Sequence, residues 1–368
     1  MSTRLILIGP LPPPYHGVTV STRLLVASEE LRRRFSVEHL DTSDHRTAHN
    51  IGRWDLRNVT IALTSAVALA RQLRGAPGVV YLPLSQGTAG LVRDCLYMQI
   101  ATRAGWKVAA HLRGGEFQDV FRSQRPVVRR LIRSSLRKVD SVAVLGSSLR
   151  WLFEGFVPPE RTAVVPNGTP EPELNGALRD PNTALFLSNL RRRKGVVEAV
   201  RAARIVVSEH PSARFLFVGQ WEDELLETAM RGEVRGLEDR IRFQPVVTGA
   251  AQQQALASAG FLLFPPVEPE GHPRVVLEAM AVGLPVVTTD RGAIRETVID
   301  GQCGFVLPDP DPRELADRML RLLRDRTLCE RMGEAARSRY LERFTQAASD
   351  RALASWLEDV ARAPARDG

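Results

Sequence analysis

Short runs of β-branched and apolar residues alternate with stretches of helical pattern along the whole chain. These runs are apolar on both faces, as strands of a covered parallel sheet must be. The stretches between them, each of roughly 10–20 residues, have the spacing of helices. The alternation predicts βαβ units with right-handed crossovers, and therefore doubly wound α/β domains. The predicted strands cover residues 4–9, 35–40, 78–84, 107–112, 141–146, 162–168, 183–190, 214–219, 241–247, 260–266, 285–290 and 304–309.

The length of the chain favours two domains, because 368 residues exceed one ordinary hydrophobic core. Residues 166–182 are rich in Pro, Gly and Asn and have no periodicity, which is typical of a linker. We therefore expect one domain over residues 1–178 and another over 179–344, with a C-terminal helix at 345–368 that joins the first. Ligands of open parallel sheets bind beyond the strand C-termini, so two such sheets facing across a cleft would hold the site there.

The net charge of +8 is unevenly distributed. Residues 1–180 hold 24 Lys and Arg against 15 Asp and Glu, whereas residues 181–368 hold 26 against 27. This asymmetry indicates that the first half meets something anionic, such as nucleic acid, a phosphorylated substrate or an acidic membrane surface.

Cysteine usage and hydropathy indicate the cellular setting. The three cysteines form no C-x-x-C pair, which argues for a reducing, cytoplasmic environment and against a structural zinc. No run approaches the ~18 apolar residues of a membrane span, and the N-terminus lacks the pattern of a secretion signal.

The stretch EPEGHPRVVLEAMAVG, residues 268–283, places Glu270 in a loop after a predicted strand and Glu278 on the helix that follows. Pro273 suits the first helical position and Gly283 the end of the helix. Free N–H groups and the positive dipole end at a helix start bind phosphate, whereas carboxylates accept hydrogen bonds from sugar hydroxyls. The two acids therefore fit a diphosphate between a sugar and a ribose; the alternative is that both are solvated surface charges.

The stretch RRRKG, residues 191–195, follows one predicted strand and precedes a helix. Cations at that position would stabilise a departing diphosphate without a metal. The D-x-D at Asp309 and Asp311 lies in a late Pro-rich loop, which fits metal-free chemistry. The alternative is a solvated charge run, above all for Arg191 to Arg193. At a further helix start, Gly292 and Ala293 form a second candidate anion site.

Four stretches resemble, in the same order, the family-four retaining glycosyltransferases, which have the GT-B fold and an E-x7-E signature. They are residues 9–22, 142–168, 186–195 and 268–296. The resemblance implies that Glu270 contacts hydroxyls of the donor sugar, Glu278 holds the ribose of the nucleotide and Lys194 holds the diphosphate. The donor-binding residues that it implies are Gly17, where the first loop approaches the donor, and Asn189, Arg193, Lys194, Glu270, Gly271, His272, Pro273, Glu278 and Gly292.

Two positions depart from the family pattern. The family has Gly-Arg where this chain has Ser188-Asn189, so an arginine among residues 191–193 would replace the missing phosphate ligand. The family also has a His-Gly pair near the donor sugar where this chain has Arg113-Gly114. His111, two residues earlier on the same strand face, is one candidate for the catalytic role, and Arg113, through the acceptor or the β-phosphate, is another. A buried structural His111 is the alternative.

Residues 121–140 combine seven basic residues with an apolar face at helical spacing, and Arg129, Arg130 and Arg133 lie at its centre. Such a helix can lie on anionic lipid, with each basic residue contributing about 1 kcal/mol near the surface. The alternative is an ordinary surface helix whose apolar face packs on the sheet.

Together these features predict a cytoplasmic enzyme, peripheral to the inner face of the cell membrane, that needs no metal or other cofactor. It would transfer a sugar, with retention, from a UDP-, GDP- or ADP-linked donor to a glycan or lipid-linked acceptor, and would not bind nucleic acid. One alternative is a non-catalytic subunit of the same fold that binds a partner or a glycan. The other, a nicotinamide-dependent oxidoreductase, is weak because GPLPPPYHG is not G-x-G-x-x-G.

Overall fold

The computed structural model describes residues 2–13, 17–43, 56–173 and 178–364, with side chains from residue 59 onward in the third range. By its contacts the chain divides into two units. The first comprises Met1–Pro166 and Ala347–Gly368, and the second comprises Asn167–Gln346. The division lies at the start of the Pro- and Gly-rich segment 166–182.

The first unit is built on one six-stranded parallel sheet in the order β2-β1-β3-β4-β5-β6. Its strands are β1 (Thr3–Gly9), β2 (Phe35–Asp41), β3 (Val79–Leu84), β4 (Lys107–Leu112), β5 (Ser141–Val144) and β6 (Thr162–Val164). The helices that connect them are α1 (Gly17–Val26), α2 (Glu29–Arg34), α3 (Leu56–Gln72), α4 (Thr88–Arg103), α5 (Phe117–Arg122) and α6 (Pro126–Leu136), and short 3-10 turns cover Ser147–Phe153 and Pro159–Arg161.

The second unit has its own six-stranded parallel sheet, in the order β12-β11-β10-β7-β8-β9. Its strands are β7 (Thr183–Leu187), β8 (Arg214–Val218), β9 (Ile241–Gln244), β10 (Phe261–Phe264), β11 (Val286–Thr289) and β12 (Gly304–Leu307). Its helices are α7 (Val196–Glu209), α8 (Glu224–Glu233), α9 (Ala250–Ser258), α10 (Arg274–Ala281), α11 (Ile294–Thr297), α12 (Pro312–Arg324) and α13 (Arg326–Arg343), and a 3-10 turn covers Arg192–Lys194.

The last helix, α14 (Gln346–Arg362), returns the chain to the first unit. Leu353, Trp356 and Leu357 are buried on it and pack in one cluster with strand residues of the first sheet, including Leu5 and Tyr81. The indole N–H of Trp356 donates to the Ser141 hydroxyl at 2.9 Å. The helix therefore completes the core on one face of the first sheet.

Both faces of the second sheet are covered, and β7 shows how. Ala184 and Phe186 belong to the cluster beneath α7 and α12, whereas Leu185 and Leu187 belong to the cluster beneath α10 and α13. Successive strand residues point to opposite faces, so a strand with two buried faces must be apolar throughout. Each of the twelve predicted strands corresponds to an observed strand, which confirms the doubly wound α/β class.

Among the helices of the described ranges, none is both long and apolar enough to cross a membrane.

Candidate active site

The strand order of the second unit marks a binding position at the carboxyl ends of β7 and β10. From β7 the chain proceeds outward to β8 and β9, and it then returns to the other side of β7 with β10, β11 and β12. The loops after β7 and β10 consequently lead away in opposite directions and leave a crevice at the switch point, where open α/β sheets bind ligands. Lys194 follows β7, and Glu270 follows β10.

The structure brings Lys194 and Glu270 together as an ion pair between Nζ and Oε1. Their side chains are only 23% and 11% exposed, so this pair is largely shielded from water. The Lys194 ammonium also lies 5.8 Å from the ring centre of Phe264, at the end of β10. The alternative of a solvated carboxylate does not hold for Glu270, because its charge is buried and paired.

Backbone contacts join the loop after β7 to the loop after β10. The carbonyl of Arg193 accepts hydrogen bonds from the N–H groups of Val267 (3.0 Å) and Glu268 (3.3 Å). Gly195 has a φ of +79°, and a Cβ at this position would lie 1.8 Å from the Pro265 carbonyl oxygen. Only glycine tolerates both the left-handed backbone and this close approach. The position of Lys194 is therefore fixed by the strand that leads to Glu270.

The residues just before α11 contact the loop that contains Glu270. Gly292 has a φ of +63°, and a Cβ there would lie 2.0 Å from the carbonyl oxygen of Glu270. The N–H of Ala293 donates to the carbonyl of Gly271 at 2.8 Å. The Ala293 N–H thus has an acceptor within the protein, and Gly292 packs against the Glu270 backbone; the predicted anion site at this helix start stays a prediction.

His272 is buried, and protein groups occupy both of its ring nitrogens. Nδ1 accepts from the N–H of Asn167 at 3.1 Å, and Nε2 lies 2.8 Å from the hydroxyl of Thr297. That hydroxyl is also within 2.7 Å of the Ala293 carbonyl, so a neutral ring with its proton on Nε2 satisfies every partner. The ring packs edge-on against Phe344, and the Asn167 amide donates to the His272 carbonyl. The ring of His272 thus holds the loop in place, and the predicted contact of His272 with the donor stays a prediction.

Glu278 lies half-buried on α10, one helical turn after Arg274. Gln252 on α9 donates to its Oε2 at 2.8 Å. Burial raises the pKa of the Glu278 carboxyl, and Arg274 and Gln252 oppose that shift. Glu278 is therefore an oriented acceptor rather than a solvated surface charge. Gln252 was missed by sequence reasoning, because nothing in a lone glutamine indicates its partner.

Pro273 is the residue before α10 rather than its first residue. Its backbone is extended (φ −63°, ψ 120°), and α10 begins at Arg274, so the predicted start was wrong by one residue. Its carbonyl accepts the N–H of Val276 at 3.2 Å, which is the position of an N-cap. The positive end of the helix dipole still lies directly after the Glu270 loop.

Arginine side chains bind the opposite ends of the two helices that begin at this site. Arg179 donates to the carbonyls of Val282 and Gly283 after α10, at 2.6 and 2.9 Å, and Arg337 donates to Ala281. Arg339 donates in the same way to the last carbonyls of α11. Cations at a helix C-terminus stabilise the helix, so these arginines stabilise α10 and α11 at the ends opposite the Glu270 loop.

Asn189 and Arg193 occupy less enclosed positions. Asn189 is exposed. It follows Ser188, whose backbone is in close contact with Gly219: a Cβ added to Gly219 would lie 1.8 Å from the Ser188 carbonyl oxygen. Arg193 is half-buried, with its Nε 3.6 Å from a carboxylate oxygen of Glu268. Neither placement tests the phosphate-binding role predicted for these residues.

In the first unit, Arg113 is anchored at the carboxyl end of β4. Its Nη1 donates to the Tyr81 hydroxyl oxygen at 2.9 Å, and that oxygen lies 3.0 Å from Nδ1 of His111. A guanidinium can only donate, so the single proton of Tyr81 is available to His111. Beside Arg113, a Cβ on Gly114 would overlap the side chain of Gln86, so the loop packs closely on that residue.

His111 is buried against Tyr81 and Trp356. Burial lowers the pKa of its imidazole well below the ordinary value, and the nearby charge of Arg113 lowers it further. The burial of the ring favours the structural alternative for His111, and its catalytic role stays a prediction. Tyr81, which the sequence did not single out, connects it to Arg113.

Gly17 is the first residue of α1 and is exposed, with no atom within 4 Å of an added Cβ. The tight glycine of this region is Gly9, where a Cβ would lie 2.8 Å from the Thr22 hydroxyl oxygen. Residues 14–16 of the predicted glycine loop, between these two positions, lie outside the described residues.

The match to a known protein family covers only the second unit. Residues 171–339 match the family "Glycosyl transferases group 1". The matched segment lies within the second unit and contains Lys194, Glu270 and Glu278. The chain is 32% identical over 200 residues to a phosphatidyl-myo-inositol mannosyltransferase of Mycobacterium leprae, over 52% of this chain and 52% of the relative.

A second relative is a putative colanic acid biosynthesis glycosyltransferase, WcaL of Salmonella typhimurium, which is 30% identical over 55% of this chain and 52% of its own. The chain thus spans about half the length of both relatives. HepE of Anabaena, solved in complex with UDP, superposes with a TM-score of 0.71 at 16% identity, over 97% of this chain and 100% of HepE. This likeness shows that the fold is GT-B.

Gly292→Ala is expected to lower the melting temperature by several degrees, since a ΔΔG of about 1–3 kcal/mol accompanies a strained left-handed residue and the new Cβ also overlaps Glu270. Gly236→Ala is the matched control, because Gly236 has a φ of +81° but open space around its Cβ position. Thermal melts of both variants compare the two effects. Equal melting temperatures would show that the contact with the Glu270 loop does not matter.

Proposed function

We propose that the chain is a retaining glycosyltransferase that uses a nucleotide-diphosphate sugar as donor. The observation that carries this proposal is the shielded ion pair of Lys194 and Glu270 at the topological switch point of the second sheet. The sequence predicted that Lys194 binds the diphosphate and that Glu270 binds the sugar, although the two residues are 76 positions apart in the chain. Their meeting in one crevice is what a ligand with both chemical groups requires.

The donor would replace the internal contact with external ones. Its diphosphate would bind the Lys194 ammonium in place of Glu270. The positive end of α10 would also stabilise the diphosphate. Glu270, released from the ammonium, would then accept hydrogen bonds from sugar hydroxyls. Glu278, already oriented by Gln252, would accept from the ribose.

The transfer itself would break the bond between the anomeric carbon and the β-phosphate oxygen. The acceptor hydroxyl would form its bond on the same face, and its proton would pass to the departing phosphate. Lys194 would stabilise the negative charge that develops on that phosphate, without a metal ion. Arg113, anchored by Tyr81, would serve the acceptor or the β-phosphate.

The proposed acceptor is a lipid-linked or cell-surface glycan precursor. The names of the two relatives support this class, since one is a phosphatidyl-myo-inositol mannosyltransferase and the other a putative colanic acid biosynthesis glycosyltransferase. The arginine-rich helix α6 of the first unit supports it as well, because an enzyme with such an acceptor works at an anionic membrane surface.

A thermal-shift screen with UDP, GDP, ADP and their common sugars tests the donor site. At 100 times its Kd, the correct nucleotide adds about 2.7 kcal/mol and so raises the melting temperature by several degrees. We expect one nucleotide class to do this and Lys194→Ala to lose the shift. No shift with any nucleotide would contradict the proposal. A shift without any sugar hydrolysis or transfer would instead favour the non-catalytic subunit.

A further inference from the structure

Helix α3 of the first unit presents an unusual outward face. Val59, Leu63 and Val67, one helical turn apart, are 40%, 57% and 51% exposed. The stretch from Val59 to Ala70 contains no charged residue, and its other exposed positions are threonines and alanine. A helix on the outside of a doubly wound domain normally carries charge on this side, so the stripe calls for an apolar partner.

The stripe belongs to one layer of three helices. The connections from β2 to β3, from β3 to β4 and from β4 to β5 run in the same direction across the sheet. Right-handed crossovers therefore place α3, α4 and α6 on the same face, and α4 packs against both of the others. The outer side of α4 adds Leu96, which is 38% exposed, and α6 adds Val127, which is 76% exposed.

The charges of this layer have a single sign. Helices α3 and α6 contain no acidic residue, and the one acid of α4, Asp94, is fully buried and paired with Arg93. On α6, Arg130 and Arg133 are exposed and Arg129 is half-buried. Arg133 also lies over the rings of Phe121 and Phe156, at 5.2 and 5.8 Å from their centres, so part of its role is packing.

We propose that the α3–α4–α6 layer is the membrane-binding face of the protein, with the α3 stripe inserted among the lipids and the α6 arginines against anionic headgroups. An uncharged stripe beside a basic helix matches the boundary between acyl chains and acidic headgroups of a bilayer. This inference deepens the proposed function and rests on it in one respect only, namely that the acceptor is held at the membrane surface.

A second copy of the chain fits this surface less well than lipid does. A symmetric pair would bring the same face of both copies together. Each copy would then place its arginines in an interface to which the three helices offer no exposed acid. Like charges without counter-ions oppose such an association, whereas an anionic bilayer neutralises them.

Flotation of the full chain with vesicles of phosphatidylcholine and phosphatidylglycerol (70:30) tests the proposal. The wild type is expected to float with these vesicles and not with phosphatidylcholine alone. Leu63→Ser with Val67→Ser should lower the partition coefficient about tenfold or more, because two apolar side chains no longer enter the lipid. Arg129→Glu with Arg130→Glu should lower it by a similar factor and reduce its dependence on salt.

Matched controls lie on the second unit. Leu225→Ser replaces a leucine that is 80% exposed on α8, and Arg313→Glu with Arg331→Glu reverses two exposed arginines. These variants should float as the wild type does. All the substituted side chains are exposed or half-buried, and melts without vesicles verify that each variant is folded.

Two results would overturn the inference. In one, the α3 and α6 variants float like the wild type. In the other, the wild type forms dimers that Leu63→Ser with Val67→Ser dissociates, without any binding to vesicles. Flotation requires neither donor nor acceptor, so a protein that fails in sugar transfer can still pass this test, and the reverse also holds.

Discussion

Glu270→Gln is expected to lower kcat/KM for sugar transfer by about 10²–10³-fold while the protein remains folded. Gln keeps the size of the side chain but loses its charge, so it is a weaker acceptor for the sugar hydroxyls and leaves Lys194 without its internal counter-ion. Steady-state transfer or donor hydrolysis with the nucleotide sugar identified by thermal shift measures the loss. Because the contact is proposed to act on the reacting sugar, kcat should fall along with kcat/KM.

Glu268→Gln is the matched control for this substitution. Glu268 lies two residues earlier in the same loop, its side chain is 55% exposed, and it pairs loosely with Arg193 at 3.6 Å. Its replacement should leave kcat/KM within a few-fold of the wild type, since exposed pairs contribute little. A Glu270→Gln enzyme with wild-type kcat/KM would remove Glu270 from the site.

Lys194→Ala is expected to have an effect of the same order, about 10²–10³-fold on kcat/KM, and also to weaken nucleotide binding. The variant removes the cation that the diphosphate would contact, and it leaves Glu270 as an unpaired, shielded carboxylate that repels the phosphates. Arg201→Ala, an exposed arginine further along α7, should change neither property. Nucleotide-induced shifts and transfer rates measure the two effects separately.

The double variant tests whether Lys194 and Glu270 act as one unit. If they do, Lys194→Ala combined with Glu270→Gln should cost clearly less than the sum of the two single losses, because each single change already disables the pair. Strict additivity would mean that the two residues serve the donor as separate contacts, Lys194 to the diphosphate and Glu270 to the sugar, without coupling between them.

Much of the fold could be predicted because its signal is local. A strand buried on both faces, such as β3, must be apolar throughout, and a run of this kind can be recognised without knowing its neighbours. Glu270 and Lys194 could be proposed for the same reason, since each follows a strand and precedes a helix. Their roles toward a donor remain predictions.

Partners across long stretches of chain could not be predicted. Nothing near His272 indicates that its ring nitrogens bind Asn167, 105 residues away, and Thr297. The Tyr81 hydroxyl likewise explains why His111 is inaccessible and Arg113 is held in place, but its contacts depend on the pairing of β3 with β4. Such contacts follow from strand register, which sequence periodicity does not supply.

The glycine contacts beneath the crevice also limit how this protein can change. Gly195 touches the segment after β10, and Gly292 touches the backbone of Glu270, so three connecting segments are interlocked without space between them. An insertion or deletion in any one would displace the other two. A new donor preference should therefore arise by exchange of side chains at fixed segment lengths, and libraries for altering it should vary residue identity and leave length alone.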